Sequence, residues 1–290
     1  MAKLRIKKGT HALNRSLGGD IAINTILIIF GAFMFIPMFY AILQSIKPLD
    51  ELWVFPPRFF VVNPTMKNYG DLFRLMGTSW VPFSRYIFNT ILIAVLGTFG
   101  NLVFASLSAY ALKKIPFPGA KTMFQIIRLS LMFNATVTAI TNFLTMSAFG
   151  WVDTYMAILI TAWCSTLGLY LMAQFVESTI HDSYLESARL DGAGEFKTFW
   201  YIAMPMVKPA WLTLIIFSFQ GLWSMGASIY IQSEQLKSFS YAIGQILAGG
   251  IVRAGAGAAS TVIMMIVPIA VFVISQSNII ETMASAGMKD

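Results

Sequence analysis

Six long stretches of the chain carry no Asp, Glu, Lys or Arg: 21–46, 86–112, 129–152, 154–176, 209–233 and 254–280. Each is long enough to cross roughly 30 Å of hydrocarbon at about 1.5 Å per helical residue. Inside a bilayer every backbone donor needs an internal partner, so the pattern predicts an all-α polytopic membrane protein with six transmembrane helices. The third helix is expected to start earlier, near Thr122, with Arg128 reaching back toward the headgroups. Pro37 and Pro268 fall inside spans, where neighbouring helices tolerate a kink. Residues 239–252, with the Gly249-Gly250 pair, are too short to cross and read as a buried re-entrant segment. The first stretch follows a basic segment but is far longer than the roughly 7–15 apolar residues of a signal peptide, so it is expected to stay as an anchor.

Composition agrees with the pattern. Hydrophobic residues make up 57% of the 290 and charged residues 11%, against about 25% charged in an average globular protein. A soluble enzyme of this size needs more charge to cover its surface. The formal charge of +7 is topological rather than a nucleic-acid footprint, because no basic stripe with interleaved aromatics runs along the chain. With the N-terminus inside, thirteen Lys and Arg fall on the cytoplasmic side, among them Lys3, Arg5, Lys7, Lys8, Arg15, Lys113, Lys114 and Lys121, and seven outside. That bias predicts both termini in the cytoplasm. The organisation is then a basic segment over 1–20 and a transmembrane domain over 21–290, with an external loop at 47–85 and a polar cytoplasmic loop at 177–208.

The 177–208 loop is longer than a connector requires. Ser183-Tyr184-Leu185-Glu186 fits a capping box, with Ser183 as N-cap and Glu186 three positions on. A short helix is expected to run to about Leu190 and to end at Asp191-Gly192, where Gly192 can take left-handed geometry. A second short helix over about 194–203, carrying Phe196, Phe199, Trp200 and Ile202, is expected to stop at Pro205. Two such helices with exposed aromatics form a knob suited to a groove on another protein.

Glu186-Ser187-Ala188, Asp191-Gly192-Ala193-Gly194, Ile202 and Pro205 resemble the "EAA" loop of permeases of ABC importers, a pattern that reads E-A-A, two residues, D-G-A, a spacer and I-x-L-P. Ser187 stands for the first Ala and Met204 for the Leu. Asn63-Pro64-Thr65 with Asn68-Tyr69, Asn89-Thr90 opening the second span and Tyr110-Ala111-Leu112 closing it are similar to carbohydrate-uptake permeases of the maltose-transporter second-subunit type. Trp223 falls where these carry Trp-Asn, with Ser224 in place of the Asn. The tail Gly287-Met288-Lys289 looks like the Gly-x-x-Lys-Gly ending of the complex-oligosaccharide branch, one residue tighter and without the last Gly. The resemblance implies a type I ABC importer permease fold in the cell membrane of a prokaryote. It implies no catalysis in this chain, ATPase coupling through the 177–208 loop, and oligosaccharide as substrate. It further implies a second permease subunit, an ATPase dimer that binds ATP and Mg, and an extracytoplasmic sugar-binding protein, with no cofactor in this chain.

The residues themselves offer little other chemistry. Gly119-Ala120-Lys121-Thr122 imitates the end of a phosphate-binding loop, but Ala120 and Ile115 stand where glycines are needed and no strand precedes them. His11, His181 and Cys164 cannot assemble a metal cluster. Glu186 and Asp191 lack a pocket in which to act as acid and base. Trp163 and Tyr170, and likewise Trp223 and Tyr230, are two turns apart and share a helix face. Each pair is either helix packing or a stacking surface for sugar, with Gln220 beside Trp223 as a hydrogen-bonding group. An ion- or proton-coupled secondary carrier is the alternative function. It would show intramembrane acids or an unwound helix, and the six stretches hold no acid.

Overall fold

The computed structural model describes residues 17–77 and 80–286, and over these the protein is helical without strands. Lys3, Arg5, Lys7, Lys8, His11 and Arg15, and the tail Gly287-Met288-Lys289, lie outside the described residues. Four helical segments are long and apolar enough to cross a membrane. They are α1 (Leu17–Ser45), α4 (Phe83–Lys114), the pair α7 (Tyr155–Trp163) and α8 (Thr166–Thr179), and the last helix, α14 (Ala254–Ala286) with its 3-10 lead-in. Between α1 and α4 lie the short α2 (Leu49–Leu52) and α3 (Lys67–Gly77).

The other two expected spans differ from the sequence reading. Stretch 129–152 is divided between α5 (Ala120–Ser130) and α6 (Ala135–Ala148). Asn134 causes the restart: its Oδ1 accepts from the Thr136 N–H at 2.8 Å, offering the backbone a cap in place of a continued ladder. Stretch 209–233 begins as a helix but stops at Trp223. Ser224 Oγ turns back to the Gln220 carbonyl at 2.7 Å, and residues 224–233 form an irregular strap. A hydropathy pattern counts charges and misses such caps. Within 154–176 there is also a break at Cys164 and Ser165, where Ser165 Oγ accepts from Gly168 N–H at 3.2 Å. Cys164 sits at this break and is exposed in the isolated chain.

α4 is the hub, packing against α7, α8 and the helix that follows the loop, α12 (Lys208–Trp223). Small and polar residues make close approach possible on its buried face: Asn89, Thr90, Gly97, Gly100, Asn101, Ala105 and Ala109. α1 lies at the edge against α14, with Phe30, Phe33 and Met34 exposed.

Two of the sequence motifs are hydrogen-bonding devices. Asn68 is buried and donates to the carbonyls of Ser45, at 2.9 Å, and Lys47, at 2.6 Å, while Tyr69 meets Ser45 Oγ at 2.9 Å. The polar segment after α1 is thereby folded back onto the end of that helix. Asn89 donates to the carbonyls of Gln235 and Lys237, both at 2.8 Å, and accepts from the Tyr155 hydroxyl at 2.6 Å. Thr90 Oγ1 accepts from Phe239 N–H at 2.7 Å. These bonds seat α13 (Phe239–Leu247), whose Phe239, Ile243 and Ile246 are buried with Leu72, Met76 and Tyr86. Segment 239–252 is thus short, but the expected burial holds only for Phe239, Ile243 and Ile246: Leu247 and residues 248–252 are exposed, and Gly250 turns the chain at φ 74°.

Candidate coupling loop and pathway

The 177–208 loop holds α9 (Asp182–Leu190), α10 (Glu195–Thr198), a π-helical turn over Phe199–Ala203 and α11 (Met204–Met206). The expected capping box is not formed. α9 starts two residues earlier, at Asp182, so Ser183 is inside the helix and the N-cap residue, His181, makes no side-chain cap bond. An ion pair fixes that start: Asp182 binds Lys114 Nζ at 2.8 Å, which holds its carboxyl below the usual range. Glu186 is exposed and is therefore free to face a partner rather than to cap.

The end of α9 is as the sequence reading expects. Gly192 adopts φ 77°, the Gly192 N–H bonds the Arg189 carbonyl at 3.0 Å, and the Ala193 N–H bonds the Ala188 carbonyl at 2.9 Å. This is the Schellman stop, which needs a residue without a Cβ at the left-handed position. Ala188 is buried, and Ser187, Asp191 and Gly194 are exposed around the turn, with Ala193 half-buried. Helix continues past Ile202 and through Pro205, contrary to the expected stop. The proline ring crowds the carbonyl four residues back, and the wide π turn immediately before it accommodates that ring. Phe199 is buried against Tyr110, ring centroids 5.5 Å apart, so the exposed aromatics of the knob are Tyr184, Phe196 and Tyr201, with Trp200 partly so.

Sequence reasoning missed what holds the knob. Tyr110, Lys113 and Lys114 stand at i, i+3 and i+4 in the last turns of α4 and reach Glu195, Glu177 and Asp182 at 3.0, 2.6 and 2.8 Å. Glu195 also receives Arg189 Nε at 2.8 Å, and that bond keeps its carboxyl below the usual range and ionised at neutral pH. The spacing 110, 113, 114 was the available signal.

Among the aromatic pairs, packing accounts for both tryptophans. Trp163 donates to the Leu96 carbonyl at 3.0 Å and lies against Gly100 and Phe104. Trp223 is buried, donates to the Met264 carbonyl at 3.1 Å and stacks on Phe219. Tyr170 stacks on Phe124 and Tyr230 on Phe143. Gln220 is exposed. A cavity of about 310 Å³ opens instead among Asn101, Thr161, Ser165, Ser218, Ser228 and Tyr230. Asn101 donates to Ser218 Oγ at 3.1 Å. Its place in an otherwise apolar run was the clue the aromatic search passed over. Trp223→Leu should therefore lower the thermal stability of the purified protein, by about 1–3 kcal/mol in unfolding terms. Uptake preference among sugars should not change, and a shift in preference at unchanged stability would return Trp223 to the pathway.

Long apolar helices around a small-residue hub, with a structured polar knob between α8 and α12, define a helical membrane permease. The chain belongs to the family of binding-protein-dependent transport system inner membrane components, whose profile matches residues 137–284. It is similar to the diacetylchitobiose uptake system permease protein NgcG of Streptomyces coelicolor, 24% identical over 205 residues that span 69% of this chain and 65% of that one. The sn-glycerol-3-phosphate transport system permease protein UgpE of Yersinia enterocolitica is 29% identical over 210 residues, 71% of this chain and 74% of that one. A solved bacterial ABC transporter involved in import of the acidic polysaccharide alginate matches with a TM-score of 0.75 at 25% identity, over 91% of this chain and 98% of its own.

Proposed function

We propose that this chain is a non-catalytic permease subunit of an ATP-driven importer for oligosaccharides, forming half of the translocation pathway. The observation that carries the reading is the knob itself: a rigid Gly192 turn between two short helices, with Glu186, Phe196 and Tyr201 facing outward. An ATPase dimer that binds ATP and Mg grips this knob, a second permease completes the pathway, and an extracytoplasmic binding protein delivers the sugar. Glu186, Ser187, Asp191, Gly192, Ala193, Gly194, Ile202 and Pro205 form the coupling surface, with Ala188 buried beneath it. The cavity beside Tyr230, a largely apolar wall set with hydroxyls and holding no acid, suits a polyol better than a cation, and the relatives named for a chitobiose derivative and for alginate support a saccharide. The relatives are named as permeases of uptake or transport systems and the solved structure as an ABC transporter, so the ion-coupled carrier is set aside. Purification of the complex from its native membrane should co-isolate an ATPase whose hydrolysis is stimulated by a sugar-loaded binding protein. A lone chain transporting on an ion gradient would overturn the reading.

The membrane is the bacterial inner membrane, with both termini in the cytoplasm. A cysteine placed at Ser183 should react with impermeant thiol reagents only from the cytoplasmic side, and one at Thr65 only from outside. Labelling of both from one side would break this topology.

A further inference from the structure

The 177–208 loop runs from α8 into α12, so chain connectivity passes its movement to those two helices and not to α4. Yet α4 is the hub against which α7, α8 and α12 pack. Side chains add a direct connection from the knob to α4. Tyr110, 3% exposed, donates its hydroxyl to Glu195 Oε2 at 3.0 Å. The other oxygen of Glu195 accepts from Arg189 Nε at 2.8 Å. Arg189 lies in the last turn of α9 and Glu195 opens α10, on opposite sides of the Gly192 turn. One carboxylate therefore joins both halves of the knob to the end of α4. The tyrosine ring, wedged against Phe199 at 5.5 Å, fixes the direction of that bond.

We propose that Glu195 and Tyr110 are positioning residues that transmit displacement of the coupling loop laterally into α4, so that the hub moves with the knob. This rests on the coupling reading above and assigns its transmission path. Lys113 with Glu177 and Lys114 with Asp182 hold the neighbouring backbone in place, but neither contacts α10. Among the described residues Glu195 supplies the charged hydrogen-bonded link from α4 to the half of the knob that carries Phe196 and Trp200, beside the apolar contact of Tyr110 with Phe199.

The test uses the intact complex in liposomes with its ATPase and binding protein, and reads substrate imported per ATP hydrolysed. Tyr110→Phe keeps the ring on Phe199 and removes only the hydroxyl. It should lower that ratio by about threefold or more, as expected for losing a hydrogen bond to a charged group. Glu195→Ala should lower it further. Glu195→Gln still accepts from Tyr110 but loses its charge toward Arg189, and should fall between wild type and Glu195→Ala. A latch that merely stabilises the fold would reduce the yield of assembled complex and leave the ratio constant, which overturns the proposal. So does an unchanged ratio in fully assembled Tyr110→Phe and Glu195→Ala complexes, provided Gly192→Val still uncouples. If Gly192→Val is also without effect, the coupling reading itself fails, and the latch with it.

Discussion

Gly192→Val is expected to separate hydrolysis from import while leaving the membrane helices inserted. The residue sits at φ 77° with open space where a Cβ would be, so the damage is conformational rather than a collision. A β-branched residue held in the left-handed region is strained by about 1–3 kcal/mol. That shifts the population of the correctly shaped turn by about fivefold to more than a hundredfold. The loop then relaxes by opening the turn, which breaks the bonds from Gly192 and Ala193 to Arg189 and Ala188 and swings Glu195 away from its partners. Uptake and sugar-stimulated ATPase activity should fall together, while basal ATPase activity and protein level stay near wild type. Normal stimulation in a well-folded Gly192→Val complex would remove the knob from the coupling path.

Gly100→Leu should be more damaging to the subunit itself. Even a single Cβ at this position would overlap the indole of Trp163 more closely than real Cβ atoms approach their neighbours. The indole cannot retreat freely, because its N–H is bonded to Leu96 and its face is covered by Phe104. Overpacking of a rigid contact costs about 1–3 kcal/mol and more when a ring must move. α4 and α7 would be forced apart at the hub of the fold. The expected result is a large loss of membrane-resident protein and of co-isolated partners, measured by immunoblot and pull-down. Gly100→Ala should show the same defect in weaker form. Wild-type levels of Gly100→Leu would mean that the α4–α7 contact is not needed for assembly.

Much of this architecture was readable from the chain. Runs without charge placed α1, α4, the α7–α8 pair and α14, because burying a charge in lipid is costly enough to leave gaps in the sequence. Gly192 was legible because only one residue type occupies that backbone region cheaply. Asn134 and Ser224 were not, since a polar side chain that caps its own backbone looks the same in a sequence as one pointing into a partner. The same ambiguity attends the aromatic pairs. Tryptophans two turns apart suggested a stacking surface, and distant carbonyls at Leu96 and Met264 consumed their N–H groups. Ser183 failed as a cap because a lysine on another helix, Lys114, set where α9 begins.

α1 and α14 meet, although about two hundred residues separate them in the chain. At a ribosomal rate of about 5–20 residues per second, the first helix waits on the order of ten to forty seconds in the lipid before its partner exists. A helix with that history must be content alone. α1 is the most hydrophobic of the long helices, at a mean hydropathy of 2.5, and none of its most apolar window is buried inside the subunit. α4 is its opposite: Asn89 and Asn101 depend on Tyr155, Ser218, Gln235 and Lys237, all made later in the chain.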